Sequence, residues 1–348
     1  MYKFSQFTYP TALQNLTTPS VNGHGQIAVT SQSGRAAAFL VSADGSAQSL
    51  ASLDGYQSNV SDVNDSATVV GISSPLRGGG NYHATMWKDG RPTILPGFVG
   101  RSSNAAAIND AGIIAGWTYT RLTPYSGVGH AVWWDSTGVH ELGAGGGVSS
   151  GAYGLNNHGT IVGGTRFADG QERGTIWKDG VVTHVGTLGG TRSLLSDVND
   201  RGWAIGDSML FGDEEIWHAM LWDGSSLRDL GTLGGRNSYS WSIGDDGTVF
   251  GSSDTISGQS HATIWRDGRA TDLYDLVSNV TELGKQTMTS AIGADANGRI
   301  YGYLHGSNGV GTFVLTPIRV AEIPEPTTLA LFVAALGALV ASRRRSAI

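Results

Sequence analysis

Apolar and polar residues alternate in short runs through most of this chain, and Gly, Asn and Asp interrupt the runs every few residues. Around residues 193–238 the pattern predicts four short strands, Ser193 to Val198, Trp203 to Asp207, His218 to Trp222 and Leu227 to Leu230, with turn clusters between them. No stretch before residue 327 holds a long helical period. In His83-Ala84-Thr85-Met86-Trp87 one strand face carries His, Thr and Trp and the other Ala and Met. Neither face is built for water, so the strand is expected to be covered on both sides.

The pattern repeats with three landmarks. They are an apolar-Asn-Asp-x-Gly corner (Val198 to Gly202), a His-Ala-x-x-Trp strand (His218 to Trp222) and a Leu-Gly-Thr-Leu-Gly-Gly segment (Leu230 to Gly235). The corner marker falls at Asn22, Asn64, Asn109, Asn156, Asn199, Gly244 and Asp295, a period of about 45 residues that marks a stacked or closed repeat architecture. The Trp position reads Val41, Trp87, Trp134, Trp177, Trp222, Trp265 and Leu315. Seven four-stranded units covered on both faces predict an all-β, seven-bladed β-propeller. Lys3 to Thr8 stands where the fourth strand of a preceding unit belongs, and the seventh copy stops after three strands, Ser290 to Gly293, Arg299 to Leu304 and Thr312 to Thr316. The N-terminal strand is therefore expected to complete the last blade, whereas an open solenoid needs capping repeats.

The Asn-Asp-x-Gly and Lys-Asp-Gly corners suit tight hairpins. In an antiparallel blade they share one end, and the long connections Ser74 to Tyr82, Thr118 to Gly129, Arg166 to Glu172 and Met209 to Trp217 share the other. Asp275 to Met288 lengthens the sixth unit and is expected to hold a short helical turn. The long-loop face carries Arg77, Tyr82, Tyr119, Arg121, Tyr125, Arg166, Phe167, Glu214, Glu215 and Trp217. Arginine and aromatic groups on loops over a rigid scaffold suit recognition, so this is the expected binding surface.

Glycine supplies 52 of 348 residues and charged residues only 15%, which fits many turns and few solvated helices. Against 29 acidic residues stand 22 basic ones, three of them grouped at the C-terminus, so there is no basic stripe for a nucleic-acid partner. The absence of cysteine excludes disulfides, thiolate metal sites and thiol catalysis.

The repeat bears on every candidate for chemistry. His83, His130, His218 and His261 occupy equivalent places in different blades, too far apart to share a metal, and are read as structural. The repeat tryptophans are read as core, because burying a large side chain contributes up to roughly 3 kcal/mol. Gly147-Val148-Ser149-Ser150-Gly151 matches a nucleophile elbow but lies between two β units with no helix after it. Gly206-Asp207-Ser208 aligns with ordinary strand ends at Gly71 and Gly251, and the calcium-like runs at Asp197 and Asp295 lack a terminal Glu. No catalytic residue, metal or cofactor is expected, and the chain is read as non-enzymatic.

After Ile323-Pro324-Glu325-Pro326 the chain changes character: Thr327 to Ala341 is apolar and Arg343, Arg344 and Arg345 follow. Fifteen helical residues reach about 22 Å, short of a ~30 Å hydrocarbon core, but the Arg cluster is a cytoplasmic stop signal. The expected organisation is a propeller over 1–317, a linker over 318–326, a transmembrane or sorting helix over 327–342 and a basic tail over 343–348. Residues 1–320 then lie across the membrane, which requires an export signal, and the stretch Met1 to Leu16 has no apolar signal core.

Residues 322–348, with Pro324-Glu325-Pro326, a short apolar helix and the terminal Arg cluster in order, resemble a PEP-CTERM sorting signal. That resemblance implies export from a Gram-negative cell, recognition by an exosortase and delivery to the envelope or extracellular matrix, often with exopolysaccharide. The body resembles the HAF family of extracellular repeats, with His-Ala kept at His83, His130, His218 and His261 while the family's Phe becomes Thr85, Val132, Met220 and Thr263. Its LGTLGG segment stands complete at Leu230 to Gly235 and, with Val first, at Val185 to Gly190. The expected function is an interaction module for an extracellular polymer or surface protein. Its rivals are a polysaccharide-active hydrolase or lyase, which needs carboxylates converging at the axis, and a purely structural matrix component.

Overall fold

A computed structural model describes residues 1–7, 16–31, 36–77, 80–123, 126–306 and 309–318. One compact unit spans Met1–Thr316, and a second, Pro317–Ile348, lies almost wholly outside the described residues. The sorting motif Pro324 to Pro326, the apolar segment and Arg343 to Arg345 fall there. Among the described residues no helix is long and apolar enough to cross a membrane.

The first unit is built of four-stranded antiparallel meanders. The first holds Leu16–Val21, Ile27–Ser31, Ala37–Val41 and Ala47–Leu50, each paired with the next. The pattern recurs along the chain, and the meanders starting at Ser149 and Gly189 are joined into one sheet by a single parallel pairing, Glu172 with Arg192. In the last sheet Tyr2–Gln6 lies beside Gly309–Pro317, followed by Ile300–Gly306 and Thr287–Ala294. The hairpin corners are where Asp and Gly were expected: Asp89, Asp179 and Asp267 take φ of 51–53° and the following glycines 74–76°, the handedness a two-residue hairpin requires. The insertion in the sixth unit forms two 3-10 turns, Leu273–Leu276 and Val280–Leu283.

Trp87, Trp134, Trp177 and Trp265 are 0–3% exposed and pack between neighbouring meanders. The indole N–H groups of Trp87, Trp134 and Trp177 donate to the carbonyls of Ala51, Pro96 and Gly143 at 2.7–3.0 Å, in the link leading into each unit. A buried indole needs such a partner, and the repeat supplies one at a fixed place for these three, whereas the buried Trp265 indole N–H has no partner among the described residues.

The LGTLGG segments clamp the long hairpins. Leu188 N and Leu233 N donate to Ser208 Oγ and Ser253 Oγ at 2.9 and 2.8 Å, while Thr187 and Thr232 turn back on the carbonyls of Gly190 and Gly235. A Cβ on Gly190 would stand 2.6 Å from Met209 O, so only glycine lets the backbones approach. Ser208, the serine of the Gly-Asp-Ser run, is thus a structural acceptor.

Candidate functional site

The corners do more than turn the chain. Each corner Asn accepts from backbone N–H groups of its own turn, as in His158 N and Thr160 N to Asn156 Oδ1 at 3.1 and 2.8 Å. Its Nδ2 then crosses to the next unit: Asn22 to Asn64 O, Asn64 to Asn109 O, Asn109 to Asn156 O, Asn156 to Asn199 O and Asn199 to Gly244 O, all at 2.9–3.0 Å. The following residue forms a second belt, in which the N–H of Gly23, Asp65, Asp110, Asn157 and Asp200 donates to the side chain of its counterpart one unit on, at 2.7–2.9 Å. In the seventh copy Asp295 has no amide to donate and is held by Arg299 Nε at 2.6 Å and Tyr301 Oη at 3.0 Å.

These belts ring a central cavity of about 1000 Å³. Its wall is set by a β-bulge near the end of each innermost strand. The register skips one residue at Ser61, Ala106, Tyr153, Ser196, Trp241 and Ile292, and all six line the cavity. A bulge re-aims a side chain out of the alternation of its strand. Here it delivers a position free to vary from unit to unit. Trp241 stays 52% exposed, whereas Tyr153 folds over Gly151 and meets Trp117 edge-on at 5.4 Å.

One residue further, Asp62 and Asp197 join the wall. Asp62 takes Val63 N on one oxygen and Ile108 N on the other at 2.8 and 2.9 Å; Asp197 takes Val198 N and Ile243 N at 2.8 and 3.0 Å. Each carboxylate therefore ties its own strand to the next unit. Burial pushes the Asp197 carboxyl up to about 6, with the charges of Asp62 and Asp245 adding to the rise, and burial likewise raises Asp62. Asp207, bonded to Ser240 N at 2.9 Å, is pushed up by burial to about 7. Described lining residues include eight aspartates and Arg266 as the one basic group, so the cavity disfavours anionic ligands.

The raised carboxyls fix a pH dependence. Between about pH 4 and pH 7 the folded chain binds more protons than the unfolded one, whose Asp pKa is about 3.9, so stability falls as pH rises through that window. His218, raised by its bond to Asp229, acts in the same direction. The melting temperature should therefore be higher at pH 5.5 than at pH 7.5, and Asp197→Asn should flatten part of that slope. Because Asp197 is only half-buried and lines the open cavity, its share is on the order of 1 kcal/mol. A slope of the opposite sign would contradict the assignment.

The residues expected to bind lie elsewhere. Arg77 is exposed, Tyr82 and Tyr119 are 45% and 37% exposed, Arg166 faces Glu172 at 3.9 Å, and the backbone N–H of Trp217 donates to Asn237 Oδ1 at 3.1 Å. Phe167 meets His184 edge-on at 5.1 Å and lines a shallow 380 Å³ pocket with Arg173 and Gln171. None of these six lines the central cavity. Tyr125 and the side chains of Arg121, Glu214 and Glu215 lie outside the described residues. The histidines stay apart, as in His218–Asp229 and His261–Asp272 at 2.9 and 2.6 Å, and no group of three potential metal ligands converges among the described residues. Sequence reading misses Trp241 and Asp62, and weighs Asp197 only as the start of a calcium-like run; their signal is a fixed offset, three or two residues before the corner marker.

No family model matches the chain, and no curated protein sequence matches it. Solved structures do. The β-propeller domain of the Trilobed protease from Pyrococcus furiosus aligns with a TM-score of 0.53 at 13% identity, over 75% of this chain and 84% of that one. A puromycin-hydrolyzing peptidase from Mycobacterium tuberculosis aligns at 0.53 and 14%, over 93% of this chain and 57% of that one. Pyrococcus horikoshii acylaminoacyl peptidase gives 0.50 and 14%, over 84% and 50%. The chain spans little more than half the length of these two peptidases. The fold is all-β and propeller-like. These likenesses correct the expectation of a non-enzymatic chain: its architecture is shared with propeller proteins that are peptidases, so repeat character and the lack of a recognised elbow do not set it apart from enzymes. At 13–14% identity the likeness is one of fold, and the peptidase activity is said of those proteins only.

Proposed function

We propose that the chain is a seven-bladed propeller, closed by Tyr2–Gln6, that recognises a neutral, hydroxyl-rich saccharide of the extracellular matrix in its central cavity. Export and envelope delivery by an exosortase through residues 322–348 belong to the same reading and rest on the sorting-signal resemblance. The observation that carries it is Trp241: a large apolar ring, half-exposed inside a cavity, among carboxylates with oxygens to offer. An indole face stacks on pyranose C–H groups while carboxylates accept hydroxyls, a pairing of one apolar platform with a few placed polar groups that small-ligand sites use. The acidic wall selects against uronate-rich or phosphorylated polymers.

Titration calorimetry with neutral oligosaccharides prepared from the host's matrix tests this. Trp241→Ala should weaken binding at least tenfold, about 1.4 kcal/mol or more, with little change in melting temperature because the side chain is exposed. Equal affinity in the variant would sink the reading. A second reading, cleavage of the bound saccharide, is favoured by Asp62 and Asp197 lining one cavity. Release of new reducing ends, lost in Asp197→Asn, would select it.

A further inference from the structure

The first strand sits in a slot with two dissimilar walls. On one side Phe7 N donates to Thr312 O at 2.8 Å and Ser5 Oγ to Val314 O at 3.3 Å. On the other, the insertion of the sixth unit lies along its edge: Ser278 N donates to Tyr2 O at 2.9 Å, and the Asn279 amide acts like a peptide unit, Nδ2 donating to Phe4 O at 3.0 Å while Oδ1 accepts Phe4 N at 2.7 Å. Phe4 and Phe7 are the buried anchors at 3% and 9%, Phe4 among Leu273, Val277, Leu283 and Phe313; Lys3, Ser5 and Gln6 are exposed. The insertion thus covers an edge that would otherwise invite pairing.

Every hydrogen-bond partner named here is at least 275 residues away in sequence, and Phe7 also packs on Ile27, Val29 and Val41 of the first meander; a strand from a second copy can make each of these contacts equally. We infer that this slot is a strand-exchange site, in which residues 2–7 of a second copy seat and link two chains reciprocally. In a reciprocal exchange each slot is refilled by an identical strand, and no contact is lost. Domain swapping of a terminal element is a low-cost route to dimers for that reason. The balance is then set by protein concentration against the effective concentration of the tethered strand, of order mM for a short tether. Two phenylalanine anchors make release an accessible event compared with unfolding a meander. The inference rests on the placement of the strand and is independent of the saccharide reading.

The test uses the full chain, which has no cysteine of its own. Ser5→Cys, isotopically labelled, and Thr316→Cys, unlabelled, both at exposed positions, are mixed at high concentration, warmed below the midpoint, cooled, and treated with a short bis-maleimide. The expected result is a 5–316 link between labelled and unlabelled chains, detected by mass spectrometry, with a yield that rises with concentration and falls severalfold when the labelled chain also carries Phe4→Ala. The double variant Ser5→Cys/Thr316→Cys should cross-link within one chain when dilute and, once locked, form no dimer. An intrachain link without any interchain link at high concentration would overturn the exchange site; a double variant that fails to cross-link at all would overturn the strand placement and the inference with it.

Discussion

Gly206→Ala is expected to lower the stability of this protein by roughly 3 kcal/mol or more, a fall of at least about 4–5 °C in melting temperature for a unit of this size. The cause is the bulge that shapes the cavity. Skipping Ser196 in the register carries the Leu194 carbonyl across the neighbouring strand, and a Cβ on Gly206 would overlap Leu194 O and crowd Leu195 Cα. These are backbone atoms of an innermost strand, so relief requires undoing the bulge. The same collision is built in at Gly71 with Asn59 O, Gly116 with Asn104 O, Gly163 with Gly151 O, Gly251 with Tyr239 O and Gly302 with Ser290 O. None of these glycines takes a left-handed φ, so the constraint is space alone. Gly97→Ala, whose Cβ would have no neighbour nearer than Ser103 Oγ at 3.9 Å, is the control and should unfold within a degree or two of the parent. If differential scanning calorimetry places both alanine variants together, the bulge does not carry the load assigned to it.

Strands, hairpin corners and the tryptophan core are legible in the sequence because each is written in local chemistry at a fixed period: alternation, Asp-Gly pairs, an indole at the same place in five of the seven units. The cavity is not, for a physical reason. A bulge is a property of two strands in register, so Trp241 and Tyr153 read in sequence as ordinary members of an alternating strand. The six glycines opposite the bulges are the visible trace, occupying the third place of an apolar-apolar-Gly run in unit after unit. The place of Asp62 and Asp197 in the cavity wall escapes because equivalent positions elsewhere hold Ala107, Gly154, Ser242 and Gly293, so the repeat hides them as exceptions. The long loops stand out instead, since their exposed arginines and aromatics are plain in sequence, while convergence on an axis emerges only once the meanders stand side by side.

The corner asparagine reads in sequence as a turn residue and proves to be a joint as well, so Asn156→Ala should cost more than the loss of a turn. The side chain is 5% exposed and meets three backbone groups. Truncation removes one of the two donors to Asn199 O, which keeps Gly202 N at 2.9 Å, and leaves the exposed His158 N to water and the buried Thr160 N without its acceptor. A buried group left unpaired costs about 1–3 kcal/mol and a lost hydrogen bond about 1 kcal/mol, so a total of about 2–4 kcal/mol is expected. Asn156→Asp keeps the shape and the acceptor but sets a carboxylate against the Asn199 carbonyl. The seventh copy indicates what that charge needs, because Asp295 survives there with Arg299 four residues on. Asn156→Asp should therefore destabilise nearly as much as the alanine, and adding Thr160→Arg should recover part of the loss, since Gly202 leaves room in the next corner as Gly25 does beside Arg299. Urea unfolding of the three variants decides it. An aspartate variant as stable as the parent would mean that the amide crossing to the next unit contributes nothing, and that the meanders are held together by their tryptophans and the remaining bonds between units.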